Sequence, residues 1–244
     1  MHIPRVYLAN PLTTNKDITL PEKSFHHLIR VLRLKPGRHL VLFNGEGGEF
    51  HGTLEHLDRH TATVRVEKYV DREAESSLKI TLAQSIAKGE RMDYCLQKAT
   101  ELGVSRIIPL TTQHTGVHFS KSQLNKRLLH WQQVVISACE QCGRNRVPTI
   151  LTPMNYLNWL HMRCEEEIAL LLNPDANKSL AQLSPPAGSI TLLIGPEGGF
   201  APEEIAVAKA AGFIDIRMGP RIMRTETAGI TAIAALQTLW GDLN

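Results

Sequence analysis

The sequence predicts an α/β protein in which helices cover both faces of a parallel sheet, with a small β-barrel unit ahead of it. Two observations carry this. Short segments rich in β-branched and aromatic residues crowd the first 70 positions. Beyond the polar stretch Asp71–Ser77, near-continuous apolar runs alternate with helical stripes, the pattern of strands buried on both faces. The expected domains are residues 1–72, a β-barrel, and residues 73–244, the α/β body.

In the first unit the expected strands are "RVYLA", "HLVLFN", "EFHGTLEHL" and "TATVRVEKYV", with "NGEGG" (Asn44–Gly48) as a hairpin turn. A helix beginning near Pro21 carries "HHLIRVLR". In the second unit "LKITLAQ" reads as a strand, then a helix with Met92, Cys95, Leu96, Ala99 and Leu102 on one face, stopped by Gly103. "RIIPL" and a long helix over Lys121–Cys142 follow. Then come "EIALLL", "SITLLIG", a helix from Pro202, "GFIDIRMG" and a final helix from about Glu226.

Composition narrows the function. Apolar residues make up 43% of the 244, enough for a packed core. The longest apolar runs fall short of the roughly 18 residues that a membrane span needs. "MHIPRVYLANP" places Pro and Arg where a secretory leader would be apolar, so a cytoplasmic protein is expected. The net charge is only +3, but residues 1–70 hold ten Lys/Arg against seven Asp/Glu and seven of the eleven His. Such an excess suits a polyanion-binding module.

The spacing Cys139-x-x-Cys142 with His161-x-x-Cys164 imitates a zinc site. Leu124, Leu128, Trp131, Val135, Ala138 and Cys142 form one helical face, however, so the first pair reads as part of a buried stripe and no metal is expected.

Ligands of parallel sheets bind at the carboxyl ends of strands. Two such ends here share a Gly-Pro turn: Gly195-Pro196 after "LLI" and Gly219-Pro220 after "IRM". A dinucleotide is the first rival, since Asp215 lies 20 residues after Gly195. But "GPEGGF" is not GxGxxG, and Glu197 would face a pyrophosphate with like charge. A carboxylate there suits hydroxyls or positive charge, and S-adenosylmethionine has both. After the second turn, Thr225 or Thr227 is expected to cap the last helix, with Glu226 at its positive end. Arg221 and Arg224 beside them would welcome an anionic substrate.

"LLIGPEGGF" with "MGPRIMRTETA", and with "KGERMDYCLQKATELGV", "SACEQCGRNRVP", "IPRVYL" and "HHLIRVLR", closely resembles the SPOUT superfamily of knotted methyltransferases, in its ribosomal small subunit methyltransferase E branch. The resemblance implies a PUA-like N-terminal barrel that binds RNA and an α/β body tied in a trefoil knot, an exception to the rule that chains do not knot. It implies a homodimer that uses S-adenosylmethionine to methylate uridine N3 in small-subunit rRNA, naked or in an assembled or assembling subunit.

By motif, the resemblance implies three cofactor loops. They are Leu172 and Asn173; Ile194, Gly195, Pro196, Glu197, Gly198 and Gly199; and a third carrying Met218, Gly219, Ile222, Met223, Arg224, Thr225, Thr227 and Ala228. RNA contacts would come from Arg5, Arg30, Arg33 and Arg144. The chain departs from the family in carrying His114-Thr115 where an Arg-Cys pair is usual, within Gln113–His118, which makes a fixed charge pH-dependent.

Uracil N3 must lose its proton before its nitrogen attacks carbon. Arg224 is expected to favour the resulting anion and Glu226 to accept the proton. The apolar last helix, with Ile230, Ile233, Leu236, Leu239 and Trp240, fits a dimer interface. A fold kept for RNA binding or assembly without activity is the second reading; the intact glycine loops favour the enzyme.

The opening test is ligand choice. Calorimetry should register S-adenosylmethionine with no competition from NADH, and Gly198→Val should abolish that binding. Saturable NADH binding without heat from S-adenosylmethionine would refute the assignment.

Overall fold

The computed structural model describes residues 3–116, 119–163 and 168–243. The chain forms two compact units, residues 1–75 with 139–147, and residues 76–138 with 148–244.

The first unit is a five-stranded sheet with one helical segment. Its strands are β1 (Arg5–Tyr7), β2 (Asp17–Thr19), β3 (His39–Phe43), β4 (Glu49–Leu57) and β5 (Ala62–Val70), in the order β1-β3-β4-β5-β2. Only the β1–β3 pair is parallel. Alternation places Ala62, Val64 and Val66 of β5 in the core with Val6, Leu28, Leu42 and Leu54. Two register shifts mark β4 against β5. At the first, a Cβ on Gly52 would stand 2.5 Å from the Arg65 carbonyl, so the bulge requires glycine.

The helix expected from Pro21 is α-helical only over α1 (Glu22–Phe25) and continues as a π-helical turn, His26–Val31, closed by Leu32 N–H donating to the His27 carbonyl. The wide turn keeps Phe25 and Leu28 inside, leaves Val31 58% exposed, and passes Arg33 at a left-handed φ of 54°.

Four arginines were expected on RNA, and the structure revises two. Arg5, its side chain 8% exposed, donates to Glu49 at 2.6 Å and to Asn145 at 2.5 Å. Arg144, 3% exposed, forks onto Glu75 through Nε and Nη2. Both guanidiniums are committed to internal partners within this unit, the buried Glu49 and the half-buried Glu75. Arg30 and Arg33 stand at the surface; Arg30 donates to the Arg59 carbonyl and lies over the Phe25 ring.

The second unit runs β6 (Ile80–Ser85), α2 (Glu90–Glu101), β7 (Arg106–Thr111), α3 (Lys121–Cys142), β8 (Thr149–Ile150), β9 (Met154–Asn155), α4 (Tyr156–Met162), β10 (Ile168–Leu172), β11 (Ile190–Ile194), α5 (Pro202–Ala210), β12 (Ile214–Ile216) and α6 (Thr225–Trp240). Residues 139–142, which end α3, count with the first unit. The sheet order is β12-β10-β11-β6-β7-β8, with β9 also on β7, and every pair is parallel. The α/β class with a parallel sheet therefore holds. Short β2, β8, β9 and α4 were not legible in the sequence.

Pro109 sits inside β7, where it pairs with Gln84 of β6. The Ile107 carbonyl accepts from Leu151 on one side, while the Leu110 carbonyl accepts from Ile86 on the other. Residue 109 therefore faces as 107 does, and its missing N–H points into the gap between β8, ending at Ile150, and β9, beginning at Met154.

On α2 the expected stripe Met92, Cys95, Leu96 and Ala99 is buried. The helix ends at Gly103, φ 85°, where a Cβ would lie 2.7 Å from the Gln237 amide of α6. That amide donates to the Leu102 carbonyl and accepts from Ser76, tying the two helices together. No described helix is long and apolar enough to cross a membrane. Among the described residues no group of three His, Cys, Asp or Glu is placed to hold a metal. Cys164, Val117 and His118 lie outside the described residues.

Burial alone would raise the Glu49 pKa, but hydrogen bonds from Arg5, His51 and Arg72 outweigh it and hold the carboxyl at about 2, against 4.5 when free. A depressed folded-state pKa adds stability that is complete above the unfolded value and is lost as pH falls through the folded one. Denaturation midpoints should therefore decline from about pH 4.5 toward 2, and more shallowly in Glu49→Gln. An equal slope in the variant would remove Glu49 from the acid transition.

Candidate functional site

Three turns leave the carboxyl ends of neighbouring strands β10, β11 and β12, and each is fastened separately. After β10, the Asn173 N–H donates to the Ile216 carbonyl of β12, and its side-chain oxygen accepts from Asp175 N–H. This places Leu172 and Asn173 beside the start of the Met218 turn. After β11, Gly199 N–H donates to the Pro196 carbonyl. Gly199 and Gly219 take left-handed φ values of 72° and 78°, and a Cβ on either would meet nothing within 4 Å. Backbone conformation, and the open space beside it, account for both glycines.

The third turn crosses back from the edge strand β12 to α6, which packs on α2, β6 and β11. Its anchor is Thr225. The expected N-cap is not Thr225 or Thr227 but Arg224, with no side-chain cap bond. Thr225, the first helical residue, instead donates its hydroxyl to the Gly195 carbonyl at 2.5 Å and accepts from the Gln84 amide at 2.8 Å. Gln84, fully buried at the end of β6, also donates to the Ser85 carbonyl and accepts from Cys95 Sγ. Gly229 completes the joint, since a Cβ there would stand 3.2 Å from Gln84 Oε1.

Two glutamates brace the β11 turn. Glu197 accepts from Lys88 N–H at 3.2 Å and from Arg91 at 3.3 Å, so the carboxylate of the glycine turn grips the approach to α2. Burial opposes its ionisation, yet these hydrogen bonds and the Arg91 charge hold its pKa below the usual range. Glu204, 8% exposed, gives one oxygen to Gln113 N–H and the other to Ala201 N–H, joining the loop after β7 to the start of α5. Tyr156 donates to its carbonyl. His114 Nδ1 lies 3.1 Å from the Gly199 carbonyl, and a Cβ on Gly198 would meet the His114 Cβ at 3.1 Å. Gly198 thus makes room for a histidine, a reason the sequence did not give. Asp215 pairs with Lys209 at 3.0 Å, which lowers its pKa.

Thr225 brings its neighbours to the mouth of the β11 turn. Arg224 is exposed there, Ile222 is 86% exposed, and Met218, Met223 and Ala228 are half-buried. Glu226 is 9% exposed, and its Oε2 has no partner among the described residues. Burial pushes the Cys95 thiol up to about 12, and the Glu226 charge adds to the rise. Open backbone at Gly199 and Gly219, a buried acceptor lacking a donor, and an exposed cation fit a ligand that is part apolar, part hydroxylated and part charged.

A family model described as an RNA methyltransferase domain matches residues 74–237, and one described as an RNA methyltransferase PUA domain matches residues 20–67. A ribosomal RNA small subunit methyltransferase E of Buchnera aphidicola is 38% identical over 99% of this chain and 98% of its own. The crystal structure of a ribosomal RNA small subunit methyltransferase E from Neisseria gonorrhoeae, bound to S-adenosylmethionine, superposes with a TM-score of 0.94 at 40% identity over the whole of both chains. A protein from Legionella pneumophila, solved in complex with the same cofactor, gives 0.96 at 37% over the whole of both chains. The chain belongs to the ribosomal RNA small subunit methyltransferase E family.

The Thr225 joint predicts a measurable contrast. Thr225→Val strips the part-buried Gly195 carbonyl and the buried Gln84 amide of their partner and should cost about 1–3 kcal/mol. Thr227→Val, at an exposed position, should stay within about 0.5 kcal/mol. Urea denaturation of both variants checks this; equal losses would mean that the joint is not special.

Proposed function

We propose that the protein transfers a methyl group from S-adenosylmethionine to N3 of a uridine in small-subunit rRNA. The observation that carries the reading is the pair of left-handed glycines after β11 and β12, the two strands that flank β10, with open space beside them and with the β11 turn locked by the Gln84–Thr225–Gly195 joint. It is supported by the full-length likeness to small subunit methyltransferases E, among them the Neisseria gonorrhoeae protein whose crystal structure holds that cofactor. The chain is an S-adenosylmethionine-dependent rRNA methyltransferase.

When bound, the cofactor supplies a methyl carbon made electrophilic by its sulfonium. The residues that would hold it are Leu172 and Asn173, the backbone from Ile194 to Gly199, and the turn from Met218 to Ala228. Arg224, exposed beside the Gly195 turn, stabilises the charge that uracil gains on losing its N3 proton. Glu226 was the expected proton acceptor, but its burial in the first turn of α6 suits a fixed acceptor for a ligand donor better than a base that must meet a nucleotide. Arg30 and Arg33 grip RNA phosphates. The target base is splayed from its stack to reach the turns.

The passage from β12 back to α6 is read as the threading of the trefoil knot. The protein acts as a cytoplasmic homodimer joined through α6, whose Leu239 is 48% exposed, on the assembled or assembling small subunit.

Wild-type protein incubated with small subunits and labelled cofactor should yield N3-methyluridine on nucleoside digestion. Arg224→Ala should lower the single-turnover rate about 100-fold or more while cofactor affinity stays within a few-fold, the mark of lost transition-state stabilisation. An unchanged rate would remove Arg224 from the chemistry.

A further inference from the structure

We propose that the π-helical turn His26–Val31 and its closing residue Leu32 form an apolar knuckle that packs on unpaired nucleotides, so that the N-terminal unit selects single-stranded over duplex RNA; this rests on the rRNA reading above and adds to it the class of RNA that the surface takes.

The apolar register shows how the knuckle is made. Phe25, Leu28, Ile29 and Leu32 stand at i, i+3, i+4 and i+7, so an uninterrupted α-helix would set all four on the core. The first three are there: Phe25 and Leu28 are buried, and Ile29 packs against the same cluster. The turn then widens, because Leu32 N–H donates to the His27 carbonyl, five residues back instead of four. That extra residue swings Leu32 out of the stripe, to 45% exposure, beside the still more exposed Val31. Arg33 follows with its left-handed φ, uncommon for a residue other than glycine. The chain regains the core at Leu34, whose N–H donates to the Leu28 carbonyl at 3.0 Å. Two large apolar side chains are thus turned to solvent together by a π turn, a distortion that recurs at functional sites.

The surroundings of the pair determine what covers it. Residues 23–38 hold five Lys/Arg and two His, with no Asp or Glu. Lys23 and His27 direct their charge at Glu140, whereas Arg30, Arg33 and Lys35 flank the pair and are exposed. Arg30 is held in place, since its Nη2 donates to the Arg59 carbonyl at 2.8 Å and its guanidinium lies over the Phe25 ring. The same bond brings the β4–β5 turn alongside, with Arg59 and His60 exposed and Asp58 accepting from the Thr61 hydroxyl.

An apolar centre ringed by cations complements a polyanion that also offers apolar surface. Duplex RNA stacks its base faces away and presents phosphates and riboses, for which cations alone would serve. An unpaired strand turns base faces outward, and Val31 and Leu32 give them an apolar surface to pack on.

Fluorescence anisotropy on the full-length chain without cofactor tests this, using a short labelled RNA of mixed sequence, either unpaired or annealed to its complement. The unpaired form should bind more tightly. Leu32→Ser should weaken that binding roughly 10-fold while duplex affinity stays within about two-fold and the salt dependence is unchanged. Leu32→Met, which keeps the apolar contact, should retain the wild-type preference. Arg33→Ala should instead weaken both forms and flatten the log–log salt slope by about one. Urea midpoints matching the wild type would show that the variants are folded. Equal affinity of the wild type for the two forms, an equal loss on both in Leu32→Ser, or no loss at all would overturn the proposal. So would a smaller mass of Leu32→Ser in light scattering, which would make the knuckle a contact between copies. A wild-type protein that keeps the preference yet forms no N3-methyluridine would strike the functional reading alone.

Discussion

The hydroxyl of Thr225 is the point on which the catalytic unit turns. The third turn leaves the edge strand and must arrive three strands away, at the end of β6, with nothing in its own sequence to hold it there. One side chain does so by donating to the Gly195 carbonyl and accepting from Gln84. Because the partners belong to different turns, the separation of the β11 turn from the α6 start is fixed by two hydrogen bonds and one close-packed glycine. Preorganisation of this kind lets a site bind without reordering its own loops.

The carboxylate in "GPEGGF" has a related answer. Read alone, Glu197 looks like a group aimed at a ligand. In the fold it reaches to Lys88 and Arg91 instead, and Glu204 does the same toward Gln113. Both glutamates convert a flexible glycine turn into a braced one by giving backbone N–H groups at neighbouring loop ends an acceptor. Beside the left-handed Gly199 and Gly219 the backbone stands in open space.

Periodic and local features were legible in the sequence: the stripe of α2, the limits of α3, the parallel strands, and the two Gly-Pro turns. Each depends on residues within a few positions of one another. The joints were not legible, because Gln84 and Thr225 lie 141 positions apart, Gln113 and Glu204 lie 91 apart, and Arg5 and Glu49 lie 44 apart. No pattern within a window reports such pairs. The same limit explains the arginines. Arg5 is a cation in a basic-leaning stretch and Arg144 one in the "SACEQCGRNRVP" motif, but only the fold reveals the carboxylates that pair with them. The π-helical turn after Phe25 was also hidden, since "HHLIRVLR" satisfies an α-helical stripe equally well.

Pro109 carries a consequence beyond its own strand. Its missing donor divides the outer partner of β7 into two pieces of two residues each, β8 and β9. A parallel sheet of strongly apolar strands would otherwise end in a long row of unpaired amides, ready to recruit a strand from another molecule. With the rim broken at its middle, an incoming strand finds no continuous ladder to join. A residue that interrupts one ladder thus leaves that rim of the sheet a poor template for a further strand.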